Sequence, residues 1–447
     1  MTRRCPRAAR SLALVTPAVL VAAAAAQQRP MTFLDMQHLR QTGSPDLSPD
    51  GQWLLYTLSV PDWKEARRNT DIWLVSLARG LGSERQLTFT RDKSESSPRW
   101  SRDGGWFVFS SDREAASGRE AGAGAGGGPS SQLYAMRVDG GEARKITDAK
   151  DGVGQFAFSR DGRWLVYAAG KSDEQQLWAL PAAEVPGGEA KPIQLTKHAT
   201  PISWWTLSRD ASRAYFLAPD TVDQDNKARR EKKFTVDIRN EDRPLLHLWA
   251  LDLASRQERR LTGGSEYSVG GVSLSDDGRW IGFRGAPNDR YKRTVTEAGS
   301  YDDLYLLETA SGRIERLTTN LEIGESQLSF SPDGQWIAFS AANDFTYARD
   351  PKVYLRRAAD AGGQWRKLGD SYDNGLSIGW WSKDGRIIYF TDGIRVTSQV
   401  LALDVSANTV TQVTGEPAVT FASRDPETGV ILLTHDTPME PASWYAA

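Results

Sequence analysis

The sequence predicts an all-β protein, a β-propeller of four-stranded antiparallel blades in eight repeat units. The last unit is incomplete, and seven blades is the alternative count. Three observations carry this. A Ser-x-Asp-Gly phrase recurs along the chain, with successive serines 53, 58, 49, 67, 56, 51 and 41 residues apart. Such spacing belongs to arrays whose repeating unit is one blade that cannot bury its faces alone. Each phrase is followed by the same order of short apolar strands. The chain also holds 16 Trp and 40 Gly with a single Cys, a composition of many short strands joined by tight turns.

Composition narrows the function classes. The 447 residues include 55 Lys and Arg against 57 Asp and Glu, a formal charge of −2. A dedicated nucleic-acid binder would show a strongly basic surface, so that class is excluded. Apolar residues at 39% and charged residues at 25% describe a globular chain with a sizeable core.

The first 26 residues read as a secretory signal peptide. Arg3, Arg4, Arg7 and Arg10 precede an apolar run from Leu12 to Ala26, which ends in Ala24-Ala25-Ala26 before polar Gln27. The run is interrupted by Pro17 and is short of the ~20 apolar residues that span a bilayer. Arg3-Arg4 resembles a twin-arginine signal, although Cys5-Pro6 fits that pattern poorly. Cleavage removes four positive charges and no negative ones, leaving a mature charge of −6, and it removes Cys5. The expected product is exported, periplasmic or extracellular, with no membrane association after signal removal and no thiols or disulfides.

Residues 27–43 form a lead-in in which Thr32 and Asp35 suit the cap of a short helix. The propeller is expected over 44–447. Its turns are Ser48-Pro49-Asp50-Gly51, Ser101-Arg102-Asp103-Gly104, Ser159-Arg160-Asp161-Gly162, Ser275-Asp276-Asp277-Gly278, Ser331-Pro332-Asp333-Gly334 and Ser382-Lys383-Asp384-Gly385. Ser208-Arg209-Asp210-Ala211 and Ser423-Arg424-Asp425-Pro426 are degenerate copies. Proline pre-sets φ for the first turn residue, and glycine takes the left-handed position that returns the next strand antiparallel. After each turn comes a strand opened by an aromatic, as in Trp106-Phe107-Val108-Phe109, and then a second, as in Leu133-Tyr134-Ala135-Met136. A short third strand ends in Leu-Thr or a variant: Leu87-Thr88, Ile146-Thr147, Leu195-Thr196, Leu261-Thr262, Leu317-Thr318 and Val413-Thr414. The aromatics at matching places are packing between sheets rather than a cofactor box.

Three stretches break the pattern. Residues 115–130, with an Ala-Gly run from Ala121 to Gly128, form a hairpin tip in the second blade. Residues 219–243 lengthen the fourth unit and carry Lys227, Arg229, Arg230, Lys232 and Lys233, a basic cluster read as a solvated loop or interdomain contact. Residues 31–43 precede the first blade.

A search for chemistry returns no catalytic, cofactor-binding or metal site. Gly375-Leu376-Ser377-Ile378-Gly379 matches the G-x-S-x-G nucleophile elbow, and Asp384 and His435 follow in hydrolase order. An elbow needs a strand before its serine and a helix after it, whereas Trp380-Trp381 and a blade turn follow here. His38, His198, His247 and His435 lack metal-ligand spacing. Asp223-Gln224-Asp225-Asn226-Lys227 begins like a calcium loop, but Lys227 stands where an oxygen ligand is needed.

The phrase Phe33-Leu34-Asp35 through Ser44-Pro45-Asp46-Leu47-Ser48-Pro49-Asp50-Gly51, followed by blades ending in Leu-Thr, resembles the N-terminal propeller of the prolyl oligopeptidase family of serine peptidases. Its secreted bacterial dipeptidyl-peptidase and acylaminoacyl-peptidase-like members are the nearer likeness. The resemblance covers essentially the whole mature chain. It implies a propeller that gates an α/β-hydrolase domain carrying the Ser-Asp-His triad, with peptides as substrates and no cofactor. No hydrolase domain follows the last unit, so the chain reads as a fragment or truncated product of a larger peptidase. Dipeptidyl peptidase IV relatives hold the substrate's amino terminus with adjacent glutamates. No Glu-Glu pair occurs here, and Asp62-Trp63-Lys64-Glu65 is only a faint echo of that motif. The alternative is a stand-alone periplasmic protein- or peptide-binding propeller of the Tol-system type, where Ser-Pro-Asp-Gly also occurs.

Overall fold

The computed structural model describes residues 32–113, 131–234, 236, 243–288, 301–319, 323–346, 348–415, 418–437 and 440–447. The expected signal peptide and the 115–130 hairpin tip lie outside these residues. The chain divides into two units, 1–39 and 40–447. In the first, helix α1 (Phe33–His38) carries the expected capping box: Thr32 Oγ accepts from Asp35 N–H, and the Asp35 carboxylate accepts from Thr32 N–H at 2.8 Å.

The second unit is an all-β propeller of eight antiparallel sheets, seven with four strands and the last with three. Strands are lettered a to d along each blade. Blade 1 runs Gln41–Leu47, Trp53–Asp62, Arg67–Ser76 and Arg85–Gln86. Blade 2 runs Glu95–Trp100, Trp106–Ser111, Gln132–Arg137 and Arg144–Lys145, and blade 3 Val153–Phe158, Trp164–Ala169, Gln176–Pro181 and Ile193–Gln194. Blade 4 runs Trp204–Leu207, Arg213–Pro219, Leu246–Asp252 and Glu258–Arg260, and blade 5 Tyr267–Leu274, Trp280–Pro287, Asp303–Glu308 and Ile314–Arg316. Blade 6 runs Ser329–Phe330, Trp336–Ala342, Pro351–Arg357 and Arg366–Leu368, and blade 7 Trp380–Trp381, Ile387–Ile394, Thr397–Asp404 and Thr409–Gln412. Blade 8 holds Ala418–Arg424, Ile431–Thr437 and Glu440–Ala446. Strand a of blade 1 begins at Gln41, three residues before the expected boundary. A bulge between Gly43 and Asp46, with Ser44 at φ +47°, absorbs Pro45 and lets pairing continue back to Gln41 opposite Ser59.

The recurring phrase does what its chemistry requires. The serine hydroxyl donates to the aspartate two residues on at 2.5–2.6 Å in all of blades 1 to 7. The six glycines sit at φ +67° to +72°. Blade 4 places Ala211 in that conformation, at φ +57°. Blade 8 corrects the register of its degenerate copy. Asp425 takes the place of the turn serine: its N–H donates to Val430 O, as Ser48 N–H donates to Trp53 O. Its carboxylate then accepts from the N–H groups of Glu427 and Thr428. The turn is of the same length, but its glycine stands one residue later, at Gly429, whose N–H donates to Asp425 O.

Aromatics on strand b lie between blades, as expected. Tyr56, Phe109, Tyr167, Phe216, Phe283, Phe339 and Phe390 occupy equivalent positions, and all are buried. Blade 8 has Thr434 in this place. Seven apolar clusters join successive blades from 1/2 to 7/8. Among the described residues no such cluster joins blades 8 and 1. There the turn of blade 8 approaches Gly51 through Thr428, and Glu427 reaches Arg102 of blade 2 at 3.5 Å and Arg160 of blade 3 at 3.6 Å.

The Leu-Thr ends carry a contact that the sequence does not announce. The threonine hydroxyl accepts from a strand-c N–H at 2.9 Å in six blades: Ile72 to Thr88, Leu133 to Thr147, Leu177 to Thr196, Leu248 to Thr262, Leu304 to Thr318 and Val400 to Thr414. It then donates to the side chain one residue before that N–H, at Asp71 (3.1 Å), Gln132 (2.9 Å), Gln176 (2.8 Å) and Gln399 (2.7 Å). In blade 4 the partner is His247, with Nδ1 3.2 Å from Thr262 Oγ and Nε2 3.6 Å from Asp220 Oδ2. Blade 6 replaces the threonine with Gly369 and the acceptor with Lys352, whose ammonium donates to Tyr372 O and Asn374 O. One side chain per blade thus satisfies the end of strand d and starts the crossover to the next blade.

Candidate functional site

In a four-stranded antiparallel blade the b–c turn and the d-to-a crossover leave at the same end. The side chains that meet these threonines therefore stand at that end of each blade, beneath the loops of one face. Gln132 accepts from Ala149 N–H at 3.0 Å and donates to Ala149 O at 2.7 Å, while Gln176 does the same with His198 at 2.9 and 3.2 Å. The crossovers are held by side-chain amides, so the loops above them start from fixed points.

Two junctions carry acid pairs in place of amides, with Glu95, Asp303 and Glu325 buried and Asp71 half-buried. At blades 1/2, Thr88 Oγ lies 3.1 Å from Asp71 Oδ1 and 3.3 Å from Glu95 Oε2. Burial raises both acids, and Arg113 pairs with Glu95 at 3.1 Å while lying over the faces of Phe109 and Tyr134. At blades 5/6, Thr318 stands between Asp303 and Glu325, each raised chiefly by burial, with Glu325 pushed up to about 7. Arg316 Nε pairs with Asp303 at 3.0 Å. The spacing from Thr88 to Glu95 and from Thr318 to Glu325 is seven residues in both places, a repeat legible only once the contact is known.

One opening on this face is a cleft of about 650 Å³ between blades 3 and 4, reaching Ser268 of blade 5. Its floor includes Gln176, Thr200 and His198, whose Nδ1 lies 2.7 Å from Glu258 Oε2. One side is the b–c loop of blade 3. The other is residues 219–230 with Arg243, and there the expected solvated loop is helix α2 (Gln224–Glu231). Asp223, read as the start of a failed calcium loop, is its N-cap: the carboxylate accepts from Asn226 N–H at 2.9 Å. The helix ends in a Schellman motif, with Phe234 N–H to Arg229 O and Lys233 N–H to Arg230 O, and with Lys233 at φ +60°. The capping residue and the run of good helix formers were the available signal. A second opening of about 550 Å³ lies over blade 5, lined by Glu266, Tyr301, Tyr305, Asp303 and Arg316.

The elbow-like motif is not built as an elbow. Ser377 is exposed on an irregular segment before the two-residue strand Trp380–Trp381, and no helix follows it. Asp384 is committed to its own turn, accepting from Ser382 Oγ at 2.6 Å and Arg386 N–H at 3.2 Å. His435 stands on strand b of blade 8 with its ring edge-on to Tyr445. The other histidines are equally separate: His38 ends α1, while His198 and His247 belong to the crossover and the threonine contact. Among the described residues no group of three or more His, Cys, Asp or Glu is placed to hold a metal ion. Asp62 turns the b–c hairpin of blade 1, accepting from Lys64 and Glu65 N–H, with Trp63 half exposed beside it.

No family model matches the chain. Among curated proteins it is 20% identical over 315 residues to Dipeptidyl-peptidase 5 of Porphyromonas endodontalis, covering 70% of this chain and 38% of that protein. It is 30% identical over 148 residues to the uncharacterized peptidase YuxL of Bacillus subtilis, covering 33% of this chain and 20% of that protein. The chain therefore spans well under half the length of the curated relatives it matches. Among solved structures, dipeptidyl peptidase 4 of Porphyromonas gingivalis aligns with a TM-score of 0.61 at 12% identity, over 94% of this chain and 60% of that one. Both curated relatives are peptidases, and the chain is similar in fold to the propeller domains of prolyl oligopeptidase-family peptidases.

Proposed function

We propose that this propeller is the gating and substrate-screening part of an exported serine exopeptidase, with the catalytic triad on an α/β-hydrolase domain outside these residues. The observation that carries the reading is the match to Dipeptidyl-peptidase 5, which runs through most of this chain but a minor part of that protein. The separate engagements of Ser377, Asp384 and His435 support placing the chemistry elsewhere. The leader-like residues 1–26 support export, and among the described residues no helix is long and apolar enough to cross a membrane. Peptides would meet the face that carries the b–c loops, where the ring limits what can pass.

The test is a fluorophosphonate label on the native protein isolated from its source with antibody against the propeller. The expected result is a mass well above 49.4 kDa and one labelled serine outside residues 1–447. A native protein of this length that takes no label, or a label on Ser377, would overturn the proposal.

A further inference from the structure

The cleft between blades 3 and 4 has unlike walls. On the b–c loop of blade 3, Asp173 and Glu174 are exposed and line it. On α2, Lys227 and Arg230 line it from positions i and i+3, one above the other on a single helix face. Neither cation has a carboxylate within ion-pairing distance among the described residues, and the nearby Asp223 already spends an oxygen on the helix cap. Between the charged walls the lining is mixed: apolar Pro201, Pro219 and Leu246 stand beside the polar floor of Gln176, His198 and Thr200, and Arg243 adds a third cation to the lining. The volume, about 650 Å³, falls in the range of sites that enclose a small ligand.

We infer that this cleft binds a short peptide with both ends free, its carboxylate on Lys227 and Arg230 and its ammonium on the side of Asp173 and Glu174. A polyanion such as a nucleotide would gain at α2 but face two unpaired carboxylates across the cleft, and a cationic ligand would meet the reverse. A zwitterion whose middle carries peptide groups between small apolar side chains satisfies both walls and the mixed floor. That the occupant is a peptide rests on the peptidase reading above; the charge preference rests on the cleft alone.

Calorimetric titration of the protein with tetra-alanine, its C-terminal amide and its N-acetyl derivative tests the inference. Tetra-alanine is expected to bind, and amidation to weaken it at least tenfold, which is about 1.4 kcal/mol. The Lys227→Glu/Arg230→Glu variant is expected to lose the same factor for tetra-alanine and to bind the amide no worse than the unaltered protein does. Both positions are exposed, and an unchanged thermal midpoint will show that the variant is folded. Equal binding of acid and amide, no heat with either, or a folded variant that binds tetra-alanine normally would each overturn it. Hydrolysis is not read here, so this result and the labelling of the native protein fail independently.

Discussion

Replacing Thr196 with valine keeps the side-chain shape and removes one oxygen, which makes it a direct measure of the threonine contact. In blade 3 that oxygen accepts from Leu177 N–H at 2.9 Å and donates to Gln176 Oε1 at 2.8 Å. Leu177 O accepts from Leu195 N–H, so the Leu177 amide faces the same strand and has no second acceptor there. Thr196 and Leu177 are both buried, which denies water to the orphaned N–H. Leaving a buried donor unsatisfied costs about 1–3 kcal/mol, and the lost hydroxyl-to-amide bond adds roughly 0.5–1.5 kcal/mol. The expected destabilisation is therefore about 2–4 kcal/mol, measured by urea unfolding with the slope unchanged. Thr196→Ser keeps the oxygen and should lose only about 1 kcal/mol, the worth of a buried methyl group. Hydrogen exchange at Leu177 should accelerate in the valine variant and not in the serine one. If valine costs less than about 0.5 kcal/mol, or serine costs as much as valine, the hydrogen bonds are not what holds strand d and the argument fails.

Other expectations are independent of that contact. Gly278 and Gly334 share the same left-handed turn position, at φ +71° and +67°, but a methyl group at Gly278 meets nothing within 4 Å, whereas at Gly334 it would lie 2.6 Å from the Asp277 carboxylate. Gly278→Ala should cost about 1–2 kcal/mol in urea unfolding, the price of the conformation alone, and Gly334→Ala clearly more; equal costs would refute the steric part. Glu325 is pushed up from 4.5 to about 7, first by burial and then by the Asp303 carboxylate. The native state therefore holds a proton that the unfolded chain has released, so this contribution is full below pH 4.5 and is lost as pH rises through about 7. At 1.36 kcal/mol per unit the loss is roughly 3 kcal/mol. Urea midpoints of Glu325→Gln should match the unaltered protein near pH 4.5 and exceed it at pH 8; no gain at pH 8 would contradict the assignment. Lys233 occupies the left-handed residue after α2, at φ +60°. Lys233→Gly should relieve about 0.5–1 kcal/mol of strain, the left-handed penalty less the backbone entropy of glycine, and slow exchange of the 228–234 amides; faster exchange would refute it.

The fold was legible because each blade writes its own punctuation. Ser101-Arg102-Asp103-Gly104 needs only local contacts to close, so its meaning survives in the chain order of the letters. The threonine contact was half legible. Leu-Thr recurs visibly, but the partner side chain lies 15 to 20 residues upstream and varies from Gln176 to Asp71 to His247, so its function repeats while its identity does not. Only strand pairing brings the two together. Helix α2 was missed because its first letters, Asp223-Gln224-Asp225-Asn226, serve a cap and a metal loop equally well, and a fold reading that expects strands discounts the cap. The last blade was misaligned by two residues because an aspartate can do what the turn serine does. Asp425 supplies the same backbone contact, and its carboxylate supplies the cap.

These contacts also tie the stability of the ring to the proposed binding cleft. Gln176 is at once the acceptor of Thr196, the anchor of the crossover at His198 and part of the cleft floor. Gln132 holds Thr147 and Ala149 in the same way in blade 2, but it does not line that cleft. Thr196→Val and Thr147→Val remove equivalent oxygens, each 2.9 Å from a buried strand-c amide, so their effects on stability should agree to within about 1 kcal/mol. Their effects on ligand should not. Losing Thr196 frees the amide that positions the cleft floor, and tetra-alanine affinity should fall with it, while Thr147→Val should bind as the unaltered protein does. Comparing the two variants at matched temperature below their midpoints separates local loosening from general destabilisation. Equal loss of affinity in both would mean that the cleft responds to the stability of the whole ring, and that the crossover side chains do not set its geometry blade by blade.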